Sequence, residues 1–442
     1  MWGSYKRDNV EAQYIASLNK TIHCAFNKIV TYYTETQSIV SLQFLLSSIM
    51  KKLQLLLPLL LLATVYASAQ TPMEIHQRAI LVDTHNDVLS NEQINHLDIG
   101  KLQHEGQFDL VRAKEGGLDV QVFSIWCGAE YGKGTAFKFA NREIDSLYAL
   151  INRYPDKIVL VRNSAELKKA VAEKKLAAMI GVEGGHMIED RMDYIDSLHN
   201  RGMCYLTLTW NNSTSWATSA YDEKFRHDSL DHHGLTAYGK QIVHHLNDLG
   251  VMIDLSHPSE QTFYDVLAIT NKPVIASHSC AYALNPHQRN LKDDQLKALA
   301  KNGGVVFVNF YNGFVDSTYA KKAAIFRHKH RAQLDSLMTI YHDNDLATDR
   351  LYAIYKSESD LVRPPLSLLI KHIDYIAKLI GVDHVGIGSD FDGAESYPLG
   401  MDDVRDYPKI TAELLKLGYT EKDIDKILGG NFIRVLKANT GK

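Results

Sequence analysis

The chain has 442 residues, of which 45% are hydrophobic and 23% are charged, and its formal net charge is −4. This is the composition of a globular protein with a large core. Without an excess of basic residues, the chain lacks the charge footprint of a nucleic-acid-binding protein.

The amino-terminal 70 residues contain the pattern of a secretory signal. Met50 and two lysines precede the apolar stretch LQLLLPLLLLATVY, and the small residues Ala-Ser-Ala follow it. A basic start, an apolar stretch and an A-x-A site are typical of a cleaved leader. We predict an upstream extension wrongly joined to the chain, a signal peptide and a single catalytic domain, at residues 1–49, 50–69 and 70–442. The mature protein would be periplasmic or secreted, without a membrane span. A genuine extension with an internal anchor is the alternative, although the apolar run is short for a span.

Eight short apolar runs alternate with helical patterns after residue 70. In chain order they are ILVDTH, LDVQVFSIW, LAAMIGVE, CYLTLTW, VMIDLS, PVIASH, GVVFVNF and HVGIGSD. Strands rich in valine and isoleucine that alternate with helices are typical of parallel sheets covered on both faces. The sequence therefore predicts an α/β fold, the (β/α)8 TIM barrel. A doubly wound open sheet is the alternative, but no glycine-rich phosphate loop follows the first strand.

One connection is much longer than the others. Over seventy residues separate the end of the seventh run, Phe310, from the start of the eighth, His384. The part between residues 316 and 365 is charged and has a helical pattern. Because the segment after a barrel strand leaves from the catalytic face, we expect this insertion between strands seven and eight to form part of a lid or pocket wall. An ordinary surface elaboration is the alternative.

Side chains that can bind a metal end five of the eight predicted strands. They are His85 and Asp87 on the first strand, Glu183 on the third, His257 on the fifth, His278 on the sixth and Asp390 on the eighth. Alternation along the first strand places Asp83 on the same face as its two ligands. Each residue has a structural alternative, as a turn acid or a capping or core histidine. Together, however, they lie where barrels place their chemistry, and such sets are typical of zinc sites.

These ligands are too many for one tetrahedral zinc ion, but five of them can serve two ions with one carboxylate bridging. A two-metal site holds a hydroxide between the ions and polarises a carbonyl. The remaining acid, Asp390, can move the proton of water to the leaving group. Neighbouring glycines, such as Gly184 and Gly388, let the backbone crowd a small site. The sequence therefore predicts hydrolysis of an amide or ester.

Several motifs together resemble those of the membrane (renal) dipeptidases, in the metal-dependent amidohydrolase superfamily. They are VDTHND, GVEGGH, YLTLT, LSH, SHS, HQRN, NFYN and GSDFDG. The resemblance runs from about Ile80 to Leu436. It implies a binuclear zinc enzyme that hydrolyses dipeptides, including those with a D-residue at the carboxyl-terminal position, and it implies a homodimer.

The resemblance also implies a role for each site residue. His85 and Asp87 would bind one zinc ion, His257 and His278 the other, and Glu183 would bridge the two. Asp390 would be the catalytic acid and base and would face the amino end of the substrate. Arg289 would hold the carboxylate of the substrate, which a guanidinium can bind through two parallel hydrogen bonds.

Trp210 departs from the family pattern, because characterised dipeptidases carry a histidine there that helps to hold the scissile carbonyl oxygen. Tryptophan offers an indole N–H instead of an imidazole, and loss of such a donor can cost about 10²–10³ in kcat. A deacylase or amidase acting on another small amide is therefore the first alternative function. The second is a binding protein that kept the metal barrel without turnover, but such a protein would not need Asp390 to move a proton.

Overall fold

The computed structural model of the chain describes residues 71–90, 96–342 and 344–441, together with scattered residues between 20 and 52. The chain divides into two compact units, residues 1–70 and 71–442. The described residues of the first unit are helical. Most of the predicted upstream extension and signal peptide lies outside the described residues. No helix in the described part of the chain is long and apolar enough to cross a membrane.

The second unit contains nine described strands. They are β1 (Leu81–Asn86), β2 (Leu118–Ile125), β3 (Ile158–Leu160), β4 (Leu176–Glu183), β5 (Met203–Thr207), β6 (Met252–Asp254), β7 (Ile275–Ala276), β8 (Val305–Val308) and β9 (Val385–Ile387).

Helices precede, connect and follow the strands. In chain order they are α1 (Pro72–Arg78), α2 (Leu110–Glu115), α3 (Ala136–Arg153), α4 (Ser164–Ala172), α5 (Met192–Asn200), α6 (Ala220–Phe225), α7 (Ala237–Leu249), α8 (Glu260–Ile269), α9 (Asp293–Lys301), α10 (Asn312–Val315), α11 (Tyr319–Lys329), α12 (Arg331–Tyr341), α13 (Asn344–Ile354), α14 (Lys356–Ser359), α15 (Leu366–Ile380), α16 (Tyr407–Lys416), α17 (Glu421–Asp425) and α18 (Asn431–Thr440).

Eight of the strands form a nearly closed parallel barrel in the order β1-β2-β4-β5-β6-β7-β8-β9. The first and last strands meet at an isolated bridge between Asn86 and Phe391. There the N–H of Asp87 donates to the carbonyl of Phe391 at 3.0 Å, and the N–H of Asp390 donates to the carbonyl of His85 at 3.1 Å. The predicted (β/α)8 barrel is confirmed, and the doubly wound sheet is wrong.

The ninth strand, β3, was not predicted and lies outside the barrel order. It pairs with the first three residues of β4, while β5 pairs with the last four residues of β4. Because β2 runs along the opposite edge of β4, β3 and β5 share one edge. Three residues directly before a helix are too few to show the alternation by which strands are recognised.

Alternate side chains of β4 divide between two apolar layers. Ala177 and Met179 belong to a cluster that also contains Met252 and Phe307 from other barrel strands. Ile180 and its outward neighbours pack instead in the large cluster that joins the barrel to its helices. This alternation continues to the end of the strand and directs Glu183 to the same side as Met179.

The insertion, residues 316–365, is helical as predicted and has a small apolar core of its own. Helices α11, α12 and α13 contribute Phe326, Leu337 and Leu351 to that core. Arg350 in α13 donates to both carboxylate oxygens of Glu105, at 2.8 and 2.7 Å, in the segment after β1. A cavity of about 790 Å³ lies between this segment and the insertion. The insertion therefore forms one wall of this cavity. Its effect on the substrate stays a prediction.

Candidate metal centre and active site

The first group of predicted ligands surrounds His85 at the end of β1. Its Nε2 atom lies 3.2 Å from Oε2 of Glu183, 3.5 Å from Oδ2 of Asp87 and 4.0 Å from Oδ1 of Asp390. The histidine is fully buried, and the side chain of Asp390 is 14% exposed. No described residue forms a hydrogen bond with this Nε2 atom. The three carboxylates and the imidazole therefore face a common space.

The second group of ligands meets the other oxygen of Glu183. Oε1 lies 2.8 Å from Nε2 of His257 and 3.4 Å from Nε2 of His278. The two Nε2 atoms are 3.0 Å apart. Nitrogen ligands about 2.0–2.1 Å from a tetrahedral zinc ion lie about 3.3 Å from each other, so the spacing fits two imidazoles on one ion. Glu183 thus presents a different oxygen to each group.

Hydroxyl groups orient two of the three imidazoles. The hydroxyl of Tyr205 donates to a carbonyl of β1 at 3.1 Å and lies 2.8 Å from Nδ1 of His85. The hydroxyl of Ser277 donates to Asp254 at 2.7 Å and lies 2.8 Å from Nδ1 of His278. Each hydroxyl therefore accepts a hydrogen bond from Nδ1–H, which leaves Nε2 as the atom with a free lone pair. Both Nε2 atoms point to the carboxylates.

The charges in the second group favour ionised Glu183 and neutral imidazoles. Burial opposes ionisation of Glu183, but His85 and the two histidines of the second group hold its pKa well below the ordinary value. Burial and the nearby charge of Arg289 lower the pKa of His257 to about 3. Burial also lowers the pKa of His278 well below its ordinary value. The neutral imidazole is the form that binds metals.

In the first group the charges favour a protonated histidine, in contrast to the second group. Burial disfavours a charge on His85, yet Tyr205, Glu183 and Asp87 together raise its pKa well above the ordinary value. Acidic groups that favour a proton at this place also favour a cation. Burial raises the pKa of Asp390, and the neighbouring Asp87 and Glu183 raise it further.

Asp390 is held on the side away from His85. Asn309, which follows β8, donates from Nδ2 to Oδ2 of Asp390 at 2.8 Å. The backbone of Asp390 has a φ of 60°, a left-handed conformation that is uncommon for residues other than glycine. Its conformation is therefore set by its surroundings.

Arg289 lies beside the second group. Its guanidinium donates to the carbonyl of Ser256, the residue before His257, and stacks over Phe314 at 5.2 Å from the ring centre. Burial lowers the pKa of Arg289 to about 10, which still leaves it charged at neutral pH. Its Nε atom is buried and has no partner among the described residues. The role of Arg289 in binding a carboxylate stays a prediction.

Asp83 does not join the ligands, contrary to the expectation from strand alternation. Its carboxylate accepts from the N–H and hydroxyl of Ser389, at 2.8 and 2.6 Å, and from the hydroxyl of Tyr407 at 2.5 Å. The pairing register of β1 shifts on both sides of this part of the strand, and simple alternation fails there. Asp83 instead fastens the ends of β1 and β9 together.

Trp210 packs edge-on against Trp126, with the ring centres 5.1 Å apart, and its ring centre lies 6.5 Å from that of His257. An apolar wall therefore stands beside the second group, where the family pattern predicts a histidine. Trp126 could not be identified from the sequence, because a tryptophan that ends an apolar strand gives no sign of a partner 84 positions further on. The same holds for Tyr205, Ser277 and Asn309, which contact His85, His278 and Asp390 respectively.

The close approach predicted for the glycines is present at the carboxyl end of the barrel. A Cβ atom on Gly388 would lie 1.9 Å from the carbonyl oxygen of Ser277. A Cβ atom on Gly185 would lie 2.3 Å from the carbonyl oxygen of Leu208. A side chain at either position would push apart the segments that surround the candidate site.

A parallel (β/α)8 barrel with histidines and carboxylates at the carboxyl ends of its strands is the arrangement of a metal-dependent barrel enzyme. The family model of the membrane dipeptidases, peptidase family M19, matches residues 69–441. The chain belongs to this family, which confirms the resemblance found in its motifs.

Individual relatives give the same result. Dipeptidase 3 of Mus musculus is 32% identical over 364 residues, which are 81% of this chain and 64% of the mouse protein. The chain thus spans less than two thirds of that relative. An uncharacterized dipeptidase of Schizosaccharomyces pombe is 32% identical over 382 residues, 82% of this chain and 81% of the yeast protein. The crystal structure of the probable dipeptidase PvdM from Pseudomonas aeruginosa is 25% identical, with a TM-score of 0.67, and the match covers 84% of this chain and 98% of that one.

Proposed function

We propose that the chain is a dipeptidase with two zinc ions, which hydrolyses the peptide bond of dipeptides and accepts D-residues at the carboxyl-terminal position. Membership of the membrane dipeptidase family supports dipeptide hydrolysis by a metallopeptidase. The observation that supports a two-ion centre is the geometry of Glu183, whose Oε2 faces His85 and whose Oε1 faces His257 and His278.

The residues present fit metal ions. Nε2 of His85 and Oδ1 of Asp87 are buried without a hydrogen-bond partner in the described part of the chain. We assign His85 and Asp87 to one ion, His257 and His278 to the other, and Glu183 to both. Nitrogen and carboxylate donors without a thiolate suit zinc. When bound, the ions would polarise the scissile carbonyl and make water more acidic.

Asp390 moves the proton in this proposal. Its Oδ1 atom faces His85, its Oδ2 atom is held by Asn309, and its side chain is partly open to solvent. It can therefore take a proton from the attacking water and return it to the nitrogen of the leaving group. Arg289 binds the carboxylate of the substrate, since it is a buried cation with a spare donor beside His257.

A deacylase or amidase acting on another small amide is the second candidate function. The pair of Trp210 and Trp126 favours it, because an apolar wall beside His257 suits an acyl chain as well as an amino acid.

Turnover tests the proposal. We would load the purified chain with zinc and assay L,L-dipeptides, L,D-dipeptides and N-acyl amino acids, in parallel with Glu183→Ala and with a chelator. Dipeptide hydrolysis that both treatments abolish, with two zinc ions per chain, is the expected result. Turnover of N-acyl amino acids alone would favour the second candidate, and metal binding without any turnover would favour a binding protein.

We further propose that the chain is exported and that residues 50–69 are its cleaved leader. We also propose that the mature protein is a homodimer. The support is the basic, apolar and Ala-Ser-Ala pattern of those residues, and, for the dimer, the family resemblance alone. Amino-terminal sequencing of the exported protein should find Gln70 as the first residue. Light scattering on the same sample should give the mass of two chains, and a mass of one chain would contradict the dimer.

A further inference from the structure

We propose that the helical insertion holds Asp390 in position by means of Glu395. At the carboxylate of Glu395 the insertion meets the two segments that flank the active site. Glu395, Tyr311 and Tyr319 are then positioning residues. The inference rests on the proposed function only for the role of Asp390 in proton transfer.

Glu395 joins three parts of the chain at one oxygen atom. Its Oε1 accepts from the hydroxyl of Tyr311, after β8, at 2.9 Å. The hydroxyl of Tyr319, in α11 of the insertion, lies 3.3 Å from the same atom and 3.2 Å from the hydroxyl of Tyr352 in α13. Both insertion tyrosines are buried. Two helices of the insertion therefore close over the segment that follows Asp390.

A chain of hydrogen bonds runs from Tyr311 to Asp390. The N–H of Tyr311 donates to Oδ1 of Asn309 at 2.5 Å, and Nδ2 of Asn309 donates to Oδ2 of Asp390 at 2.8 Å. Because both ends of the Asn309 amide are bonded, its orientation is fixed. A shift of Tyr311 would release the amide and with it one oxygen of Asp390.

Two further residues of the segment that follows Asp390, Ser396 and Tyr397, also hold this segment in position. The hydroxyl of Tyr397 donates to the carbonyl of Asp390 at 2.8 Å. Asn312 binds Ser396 twice, with its N–H donating to the carbonyl at 3.0 Å and its Nδ2 to the hydroxyl at 2.7 Å. These bonds surround an Asp390 whose φ of 60° is not favoured by its own backbone. Such a conformation persists only when its surroundings impose it.

Conservative substitutions test the coupling in the zinc-loaded full chain. Tyr311→Phe and Tyr319→Phe each remove one hydroxyl from Glu395. We expect kcat on dipeptides to fall about tenfold, since small misplacements of a catalytic group are costly, with KM within about twofold and zinc content unchanged. Glu395→Gln keeps an acceptor oxygen and should retain more activity than Glu395→Ala.

Tyr355→Phe is the matched control, because Tyr355 lies in the same insertion but stacks on His330, with ring centres 3.7 Å apart. Its kcat should equal that of the unmodified chain. Tyr319→Phe with the same kcat as this control would overturn the proposal. A fall in kcat that only follows loss of zinc would overturn it as well.

Amide hydrogen exchange separates this inference from the proposed function. If the unmodified chain hydrolyses no dipeptide, the proposed function fails, but anchoring of the Asp390 segment can still be measured. Faster exchange of residues 388–397 in Tyr319→Phe than in Tyr355→Phe would support the anchor. Equal exchange in the two variants would overturn it.

Discussion

The hydroxyl of Tyr205 lies 2.8 Å from Nδ1 of His85, inside the barrel and directly behind the ligand atom. Gly181 on the neighbouring strand makes room for the phenol, because a Cβ atom there would lie 2.0 Å from the ring. A large residue on β5 and the smallest residue on β4 thus set the direction of a ligand on β1. Groups that orient a metal-binding histidine in this way also tune its affinity for the ion.

Replacing Tyr205 with phenylalanine should weaken zinc binding about tenfold, because Nδ1 of His85 would lose the acceptor that fixes its tautomer. Competition with a chromogenic chelator measures the affinity. Tyr148→Phe is a suitable control, since the Tyr148 hydroxyl donates to the carbonyl of Arg201 at 2.7 Å, outside the site. Equal zinc affinity in both variants would contradict the assigned role of Tyr205.

A methyl group at Gly393 should impair catalysis with little effect on folding. A Cβ atom there would lie 2.1 Å from Oδ2 of Asp87 and 2.6 Å from Oδ1 of Asp390, although the glycine itself is exposed. We expect Gly393→Ala to lower kcat/KM at least about tenfold and to leave the thermal midpoint nearly unchanged. Gly128→Ala is the control, because the atoms nearest to its Cβ would be those of the exposed carboxylate of Glu130. A fully active Gly393→Ala would show that the two carboxylates can move apart freely.

Acid should destabilise the fold partly through His372. Its Nδ1 accepts from the N–H of Ala281 at 3.1 Å, and its Nε2 donates to the carbonyl of Val315 at 3.0 Å. Burial lowers its pKa to about 4. As the pH falls, the unfolded chain therefore binds a proton at this histidine before the folded chain does. The contribution of His372 to the free energy of unfolding is fully present above pH 6.5 and is lost as the pH falls to about 4, a loss of roughly 3 kcal/mol.

Urea unfolding of the metal-free chain between pH 7 and 4 measures this effect. His372→Gln cannot be protonated, and its stability should fall less with acid than that of the unmodified chain. Parallel curves for the two proteins would exclude His372 as a source of the acid sensitivity.

Trp210 should act as an apolar wall for the substrate. Its ring packs on Trp126 and stands beside His257, so Trp210→Ala should raise KM about tenfold for dipeptides with large apolar side chains and less for diglycine. A substrate series measured with both proteins makes the comparison. An equal fall in kcat for all substrates would instead identify the indole N–H as the donor to the scissile carbonyl.

The sequence predicted the barrel and the clustered ligands because both follow from local patterns. Parallel strands give apolar runs, and their carboxyl ends converge, so His85 and His278 could be placed together without knowing any contact. Asp83 was misplaced because a shift of register breaks the alternation within β1. Such a shift depends on the partner strand and leaves no trace in six residues of sequence.

The supporting contacts could not be predicted for a related reason. The room that Gly181 makes for Tyr205 depends on the pairing of β4 with β5. The meeting of Tyr319 with Glu395 depends on how a long insertion folds back over the barrel. Pairwise contacts between distant segments have no periodicity, and a single sequence does not contain them.

The seam between the first and last barrel strands also has a consequence for the order in which the protein is made. Ser389 and His85, which meet across it, are 304 positions apart in the chain. The ribosome therefore releases His85 long before Asp390, and the nascent chain cannot assemble the complete centre until β9 docks beside β1. Contacts between positions so far apart form only after the entropy cost of closing the loop has been met, which favours slow folding. The five residues assigned to zinc all precede β8 in the chain. Activity would therefore begin only when β9 docks beside β1 and brings Asp390 to them.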